Sequence, residues 1–328
     1  MKVYSKIMPE LNLEEEKTSP KRPLLEGSQN FPVTMPDGTA WPRITIVTPS
    51  YNQGIFLEET IRSVLLQGYP NLEYIIIDGS STDDSVEIIK KYEPWLSYWV
   101  SEPDKGQYDA INKGFARASG EVLAWINSDD KYVPWAFQIV GEIFSTLPEV
   151  GWLTTLTPLI WDRFGRVVTC NYRRGYNRDA FFYGEFLPGA DWHTNGCIQQ
   201  ESTFWRRSLW EKAGGYVDTS LSFASDFELW ARFYKFEELF VIRAPLGGFR
   251  IHGDQKTSHH FDTYLEEAKS AFFRHDGNPP SRVRSFFRKL FPYIPRRIAM
   301  RLGILYPCKI CEYNNSQNDW KISTIWWA

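Results

Sequence analysis

The chain has 328 residues, 43% of them hydrophobic, so it can bury one large α/β core or two modest ones and is neither fibrous nor disordered as a whole. A formal net charge of −3 excludes a protein that coats nucleic acid by bulk electrostatics, and any basic surface must be local. Aromatics reach 16%, with 14 Trp, which suits flat sugar-binding or membrane-facing surfaces and equally suits a bulky core.

Residues 1–42 carry the acidic run Glu14-Glu15-Glu16, several prolines and no sustained period, which predicts a flexible lead-in. Met1 to Lys21 has no apolar segment of the signal-peptide kind, and no run in the chain approaches the roughly 20 apolar residues that span a bilayer. Cys170, Cys197, Cys308 and Cys311 are too few and too scattered for a disulfide framework. A cytoplasmic protein, at most peripheral to the membrane, is expected.

From Ile44 short apolar runs alternate with amphipathic stretches. Ile44 to Thr48 reads as a strand, and Leu57, Ile61, Val64 and Leu65 recur at helical spacing before Gly68 and Pro70. Tyr74 to Ile77, Ser97 to Ser101 and Val122 to Ile126 read as further strands, with helices marked by Val86 and Ile89 and by Tyr108, Ile111 and Phe115. This alternation predicts βαβ units around a mostly parallel sheet flanked by helices. Ligands of such sheets lie beyond the carboxyl ends of the strands, so the residues after each apolar run are the ones to inspect.

The first such loop is Pro49-Ser50-Tyr51-Asn52-Gln53-Gly54, whose single glycine excludes the G-x-G-x-x-G dinucleotide cradle. The second opens with Asp78, placed to accept hydrogen bonds from a base edge or ribose hydroxyls, while Thr82, Asp83 and Asp84 are expected to cap the next helix. After the third strand Glu102 to Gly114 forms a dense polar cluster in which Asp109 shares a helical face with Asn112 or Lys113. The fourth strand stops at Asn127-Ser128-Asp129-Asp130. Adjacent carboxylates after a buried strand repel each other and attract a hard cation, Mg²⁺ or Mn²⁺, which can bridge to a diphosphate.

Beyond residue 150 the pattern loosens into a mixed region: strand-like Trp152 to Pro158, a hairpin turn at Asp162 to Gly165, helical Ser208 to Ala213 and Phe227 to Phe236, and a strand at Leu239 to Ile242. Ser225 and Glu228 match a Ser-x-x-Glu capping box that would place Asp226 in the first helical turn, where the helix field favours its ionised form. Arg282 to Lys309 interleaves eight cations with Phe, Leu, Tyr and Ile and no acid. It reads as a helical tail, either lying on an anionic membrane or packed on the core.

Taken together, Thr48-Pro-Ser-Tyr-Asn52, Ile77-Asp-Gly-Ser80, Glu102-Pro-Asp-Lys-Gly106, Asp109-Ala-Ile-Asn-Lys-Gly114 and Asn127-Ser-Asp-Asp130 resemble the nucleotide-binding half of family 2 glycosyltransferases. The resemblance continues through Gln200-Glu-Ser-Thr-Phe204, Ser225-Asp226 with Leu229-Trp230, and Arg250-Ile-His252, over roughly residues 43 to 260. It implies a GT-A fold with a nucleotide-sugar-binding half at 43–150, an acceptor half at 151–275 and a basic tail at 276–328. It further implies that Pro49, Ser50, Tyr51, Asn52, Asp78, Lys105, Asp109, Ser128 and Asp129 contact the nucleotide, and that Asp129 with Asp130 holds the metal. Where the family's motif commonly begins with Asp, this chain has Asn127.

Asp226, left from the family's acidic pair, is implied as the general base of an inverting transfer to an acceptor hydroxyl. Gln200, Glu201, Trp230, Arg250 and His252 are candidates for diphosphate or acceptor contacts, with His193 and Trp192 weaker ones. The implied donor is a nucleotide-diphospho-sugar, most simply a UDP-sugar. The implied acceptor is a saccharide or lipid-linked sugar in cell-surface polysaccharide or glycoconjugate synthesis. The competing readings are a sugar-nucleotidyltransferase, which would need a glycine-rich basic loop in place of Pro49 to Gly54, and a non-catalytic protein that keeps the fold.

Overall fold

The computed structural model describes residues 31–188, 196–253, 255, 260–278, 298 and 305–327. Two sheets organise it. In the larger, nine strands run in the order β13-β12-β10-β6-β9-β4-β1-β2-β3. One half of it comprises β1 (Ile44–Ser50), β2 (Leu72–Asp78), β3 (Tyr98–Ser101) and β4 (Val122–Trp125), all parallel, with Ser50 beside Asp78 and Asp78 beside Ser101. Every residue of β1 and β4 is buried, as expected of strands covered on both faces.

The crossovers are α1 (Gly54–Leu65), α2 (Ser85–Tyr92) and α3 (Gln107–Phe115). In α1 the buried side chains Leu57, Ile61 and Val64 line one face at i, i+4 spacing. After the two-residue strand β5 (Lys131–Tyr132) and α4 (Ala136–Thr146), β6 (Trp152–Thr155) and β9 (Phe204–Arg206) extend the sheet, β9 running antiparallel between β4 and β6.

The smaller sheet has the order β5-β11-β7-β8, with β7 (Leu159–Trp161), β8 (Val167–Cys170) and β11 (Gly247–Arg250). The expected hairpin at Asp162 to Gly165 joins β7 and β8. Helices α5 (Arg178–Phe182), α6 (Arg207–Lys212), α7 (Ser225–Tyr234) and α8 (Phe261–Arg274) cover the acceptor side, and β10 (Leu239–Ile242) pairs with β6.

The aromatic surplus goes into the core. Trp230 lies parallel to Trp125 at 6.1 Å and stacks on Trp152 at 5.6 Å, and Trp205 meets Trp125 edge-on at 5.5 Å.

Two expectations change. Residues 31–42, assigned to a flexible lead-in, are anchored at Trp41, which is buried, meets Phe31 edge-on at 4.9 Å and donates its indole N–H to Pro32 O. The described part of the tail is a hairpin and not a helix. In it β12 (Tyr306–Asn314) runs parallel to β10 and β13 (Asp319–Trp327) closes the edge. Tyr306, Cys308 and Ile310 are buried at every second residue, a strand period concealed by the basic stretch before it. Most of that stretch, like His193 and Trp192, lies outside the described residues. No helix among the described residues is long and apolar enough to cross a membrane. Both Cys308 and Cys311 are free thiols, and burial pushes the pKa of each up to about 12.

Candidate active site

Five loops meet at the carboxyl rim of β1 to β4. The first two are tied together by Asn52, which holds a left-handed φ of 52° that Asn tolerates better than most residues. Its Oδ1 accepts from Thr82 N at 2.8 Å and its backbone N–H donates to Ser81 Oγ at 2.8 Å. Asp83 adds a bond from Gly54 N to its Oδ2 at 2.8 Å and another from Ser85 N to its Oδ1 at 3.0 Å. Tyr51, 56% exposed, stands outside this knot with its ring free to stack on a ligand.

Asp78 is fully buried at the strand tip, and the protein supplies three donors: Ser81 Oγ at 2.5 Å, Ser101 Oγ at 2.7 Å and Ser81 N at 2.9 Å. It therefore braces the tips of β2 and β3 as well as lying under the expected nucleotide pocket. Gly79 follows because a Cβ there would lie 2.7 Å from Asp104 Oδ2. In the third loop Asp104 accepts from Gly106 N and Asp109 accepts from Lys105 N, which turns the exposed Lys105 side chain outward at the rim. Gln107 then donates to Asn127 Oδ1 at 2.6 Å and links this loop to the fourth.

The fourth loop separates the two carboxylates. Asp129 Oδ2 lies 3.0 Å from His252 Nε2, and the His252 ring packs on Phe56 at 4.6 Å. Asp130 is fully buried, and both its oxygens are engaged, by Arg250 N at 2.7 Å and Asn127 Nδ2 at 3.1 Å. Burial, reinforced by the Asp129 charge, holds its pKa well above the usual carboxylate range. Asp130 is thus a buried carboxylate held by the Arg250 backbone and by Asn127, while Asp129 is the one nearer the surface. Burial, with the Asp226 and Asp129 charges, pushes Glu201 up to about 7.

Asp226 sits at the start of α7, and burial pushes it up to about 6. The expected helix-end stabilisation of its ionised form is outweighed by desolvation. The capping box is not formed either: the N-cap is Ala224, Ser225 Oγ donates to Asp218 O, and Glu228 binds Arg232 and His275. Glu201 feels the charges of both Asp129 and Asp226, carboxylates far apart in sequence.

Three further candidates are engaged by the protein itself. Trp230 is 1% exposed within the tryptophan stack, away from any acceptor. Arg250, equally buried, donates to Asp129 O, to Arg163 O and to Glu59, and so holds the metal-site loop from behind. Gln200 Nε2 donates to Trp125 O at 2.6 Å. The sequence reading missed Thr60, whose hydroxyl bonds Ser128 O and Asp130 O, and Glu267, whose carboxylate collects amides before α7. Neither carries a motif.

Among the described residues no group of three His, Cys, Asp or Glu side chains is arranged to hold a metal. Asp129 and His252 do fit as a pair: one carboxylate and one imidazole already in contact at the rim, leaving the remaining positions of a cation to ligand oxygens.

Residues 45–150 match the model of the family described as glycosyl transferase family 2. The chain is 33% identical over 209 residues to an uncharacterized glycosyltransferase of Mycobacterium tuberculosis, covering 63% of this chain and 71% of the relative. It is 39% identical over 98 residues to TuaG of Bacillus subtilis, a glycosyltransferase named for teichuronic acid biosynthesis, covering 29% of this chain and 39% of that one. Among solved structures, Staphylococcus aureus TarS in complex with UDP-GlcNAc superposes with a TM-score of 0.54 at 16% identity, over 79% of this chain and 75% of that one. The mannosyltransferase PcManGT of Pyrobaculum calidifontis, in complex with GDP-Man and Mn²⁺, gives 0.51 at 17% identity, over 74% and 67%. At such identities the likeness establishes the fold.

Proposed function

Because the chain belongs to glycosyl transferase family 2 and is a glycosyltransferase, we propose that it transfers a sugar from a nucleotide-diphospho-sugar to an acceptor hydroxyl with inversion, Asp226 serving as base. The observation that carries this reading is that Asp129 and Asp226, far apart in sequence, both lie near enough to Glu201 to act on its charge.

In this mechanism Tyr51 stacks on the base of the donor, and Pro49, Ser50 and Ser128 shape the floor of its pocket. Lys105, exposed at the rim, reaches the phosphates. Asp129 with His252 would hold a divalent cation, consistent with the Mn²⁺ bound with GDP-Man by PcManGT. Bound there, the cation would neutralise charge on the departing diphosphate. Arg250 and Asn127 fix the loop carrying Asp129, so the carboxylate is held in place before donor binds. Asp226, ionised above about pH 6, takes the acceptor proton as the hydroxyl attacks the anomeric carbon opposite the leaving group. Glu201, protonated through part of the neutral range, lowers the negative charge gathered around Asp129 and Asp226.

The UDP-GlcNAc of TarS supports a UDP-sugar donor, and the name of TuaG supports a saccharide acceptor in cell-surface polysaccharide synthesis. Four free cysteines fit a reducing, cytoplasmic setting. The test compares Asp226→Asn with the wild type for nucleotide release from UDP-N-acetylglucosamine, UDP-glucose and GDP-mannose with Mn²⁺, and for UDP binding by calorimetry. Binding should persist while release falls by about 10²-fold or more. Wild-type turnover in the variant would remove the base assignment.

A further inference from the structure

The helix that carries Asp226 lacks a side-chain cap of its own, since its N-cap is Ala224 and the neighbouring Ser225 hydroxyl is turned to Asp218 O. The amides leading into it are gathered by a residue 43 to 45 positions further along the chain. Glu267 of α8 accepts from Ser222 N at 2.9 Å through Oε1, and from Phe223 N at 2.8 Å and Ala224 N at 3.0 Å through Oε2.

Other contacts of α8 and of the residues that cap it reach the same segment. The Phe223 ring stacks on His260 at 5.2 Å, Arg274 Nη1 binds Asp218 Oδ2 at 2.8 Å, and His275 Nε2 binds Glu228 Oε1 at 2.8 Å. His260, Glu267 and Arg274 recur at sevenfold spacing and so share one helical face. From end to end that face grips residues 218–228, with Asp226 among them. The grip at its centre requires a group that only accepts hydrogen bonds, because three N–H donors converge on it.

We propose that Glu267 is a positioning residue for sugar transfer: by binding the amides of Ser222, Phe223 and Ala224 it fixes the backbone from which Asp226 is presented to the acceptor. The proposal rests on the reading of Asp226 as base. Glu267→Gln keeps the size of the side chain but points an N–H₂ donor at backbone donors, so it should loosen this loop and leave the nucleotide rim intact.

The experiment measures nucleotide release from UDP-N-acetylglucosamine, UDP-glucose and GDP-mannose with Mn²⁺ for the wild type, Glu267→Gln, Asp226→Asn and the double variant. Amide hydrogen exchange of residues 222–226 is followed in the same proteins. Glu267→Gln should lower kcat by about tenfold or more, leave KM for the sugar nucleotide within about twofold and speed exchange at 222–224. The double variant should be no slower than Asp226→Asn alone, as expected of a residue that acts through Asp226.

Unchanged kcat in Glu267→Gln overturns the proposal, as do unchanged exchange at 222–224, a parallel loss of UDP binding, or losses that multiply in the double variant. Full activity of Asp226→Asn instead removes the base reading, a failure visible in that variant by itself. Should Glu267→Gln not fold, Glu267→Asp, which keeps an acceptor-only group on a shorter stem, is judged by the same criteria.

Discussion

Asn127 shows how one side chain settles the chemistry of its neighbours. It accepts from Gln107 with its carbonyl and donates to Asp130 with its amide, a pair of roles that a carboxylate cannot fill at neutral pH. The departure from the family's usual Asp is therefore accompanied by a fully buried Asp130, and Asp129 is the carboxylate nearer the surface. Asp226 is the complementary case. Burial lifts its pKa to about 6, so the ionised base is lost as pH falls through that value. Nucleotide release coupled to acceptor should show an acidic limb near pH 6. The same shift carries an opposite stability signature: a raised carboxylate pKa contributes stability that is complete at low pH and is lost as pH rises through about 6. Thermal melting should accordingly show Asp226→Asn more stable than the wild type at pH 8, with the difference vanishing near pH 4.

At the level of elements, the site depends on short strands that approach one another closely. β11 brings Arg250 and His252 to the loop of Asp129, and it does so by running past the turn at Gln200 to Ser202 without side chains at its first two positions. A Cβ at Gly247 would lie 2.3 Å from Glu201 O, against backbone that cannot swing aside. Gly247→Ala should therefore cost about 2 kcal/mol or more, read from urea unfolding, and should also weaken activity by displacing Glu201. In the sequence Gly247-Gly248 looks like a loop signal. The capping box at Ser225 to Glu228 misleads for a related reason: the local pattern is sound, but Arg232 and His275 compete for Glu228 and win because they are buried with it.

Across the whole molecule, the nine-stranded sheet carries both halves of the site on one scaffold, and its far edge is completed by β12 and β13. That hairpin is part of the core: Cys308, Ile310 and Trp327 are buried, and Asn177 donates to Pro307 O at 2.9 Å. Ending the chain at residue 304 should expose the edge of β10 and lower the melting temperature by several degrees or cause aggregation, measurable by calorimetry and light scattering. The strands and helices of the nucleotide half, the polar loops at their tips and the family were all legible in the sequence. Hydrophobic period and turn residues act over a few positions, and those loops are contiguous. What only the tertiary structure decided is the allocation of work among like residues: which of Asp129 and Asp130 is fully buried, that Trp230 and Arg250 are packed and bonded within the protein, and that Glu267 reaches the segment before the helix of Asp226. Each of these depends on burial and on partners more than 25 residues away, and neither quantity is encoded in local spacing.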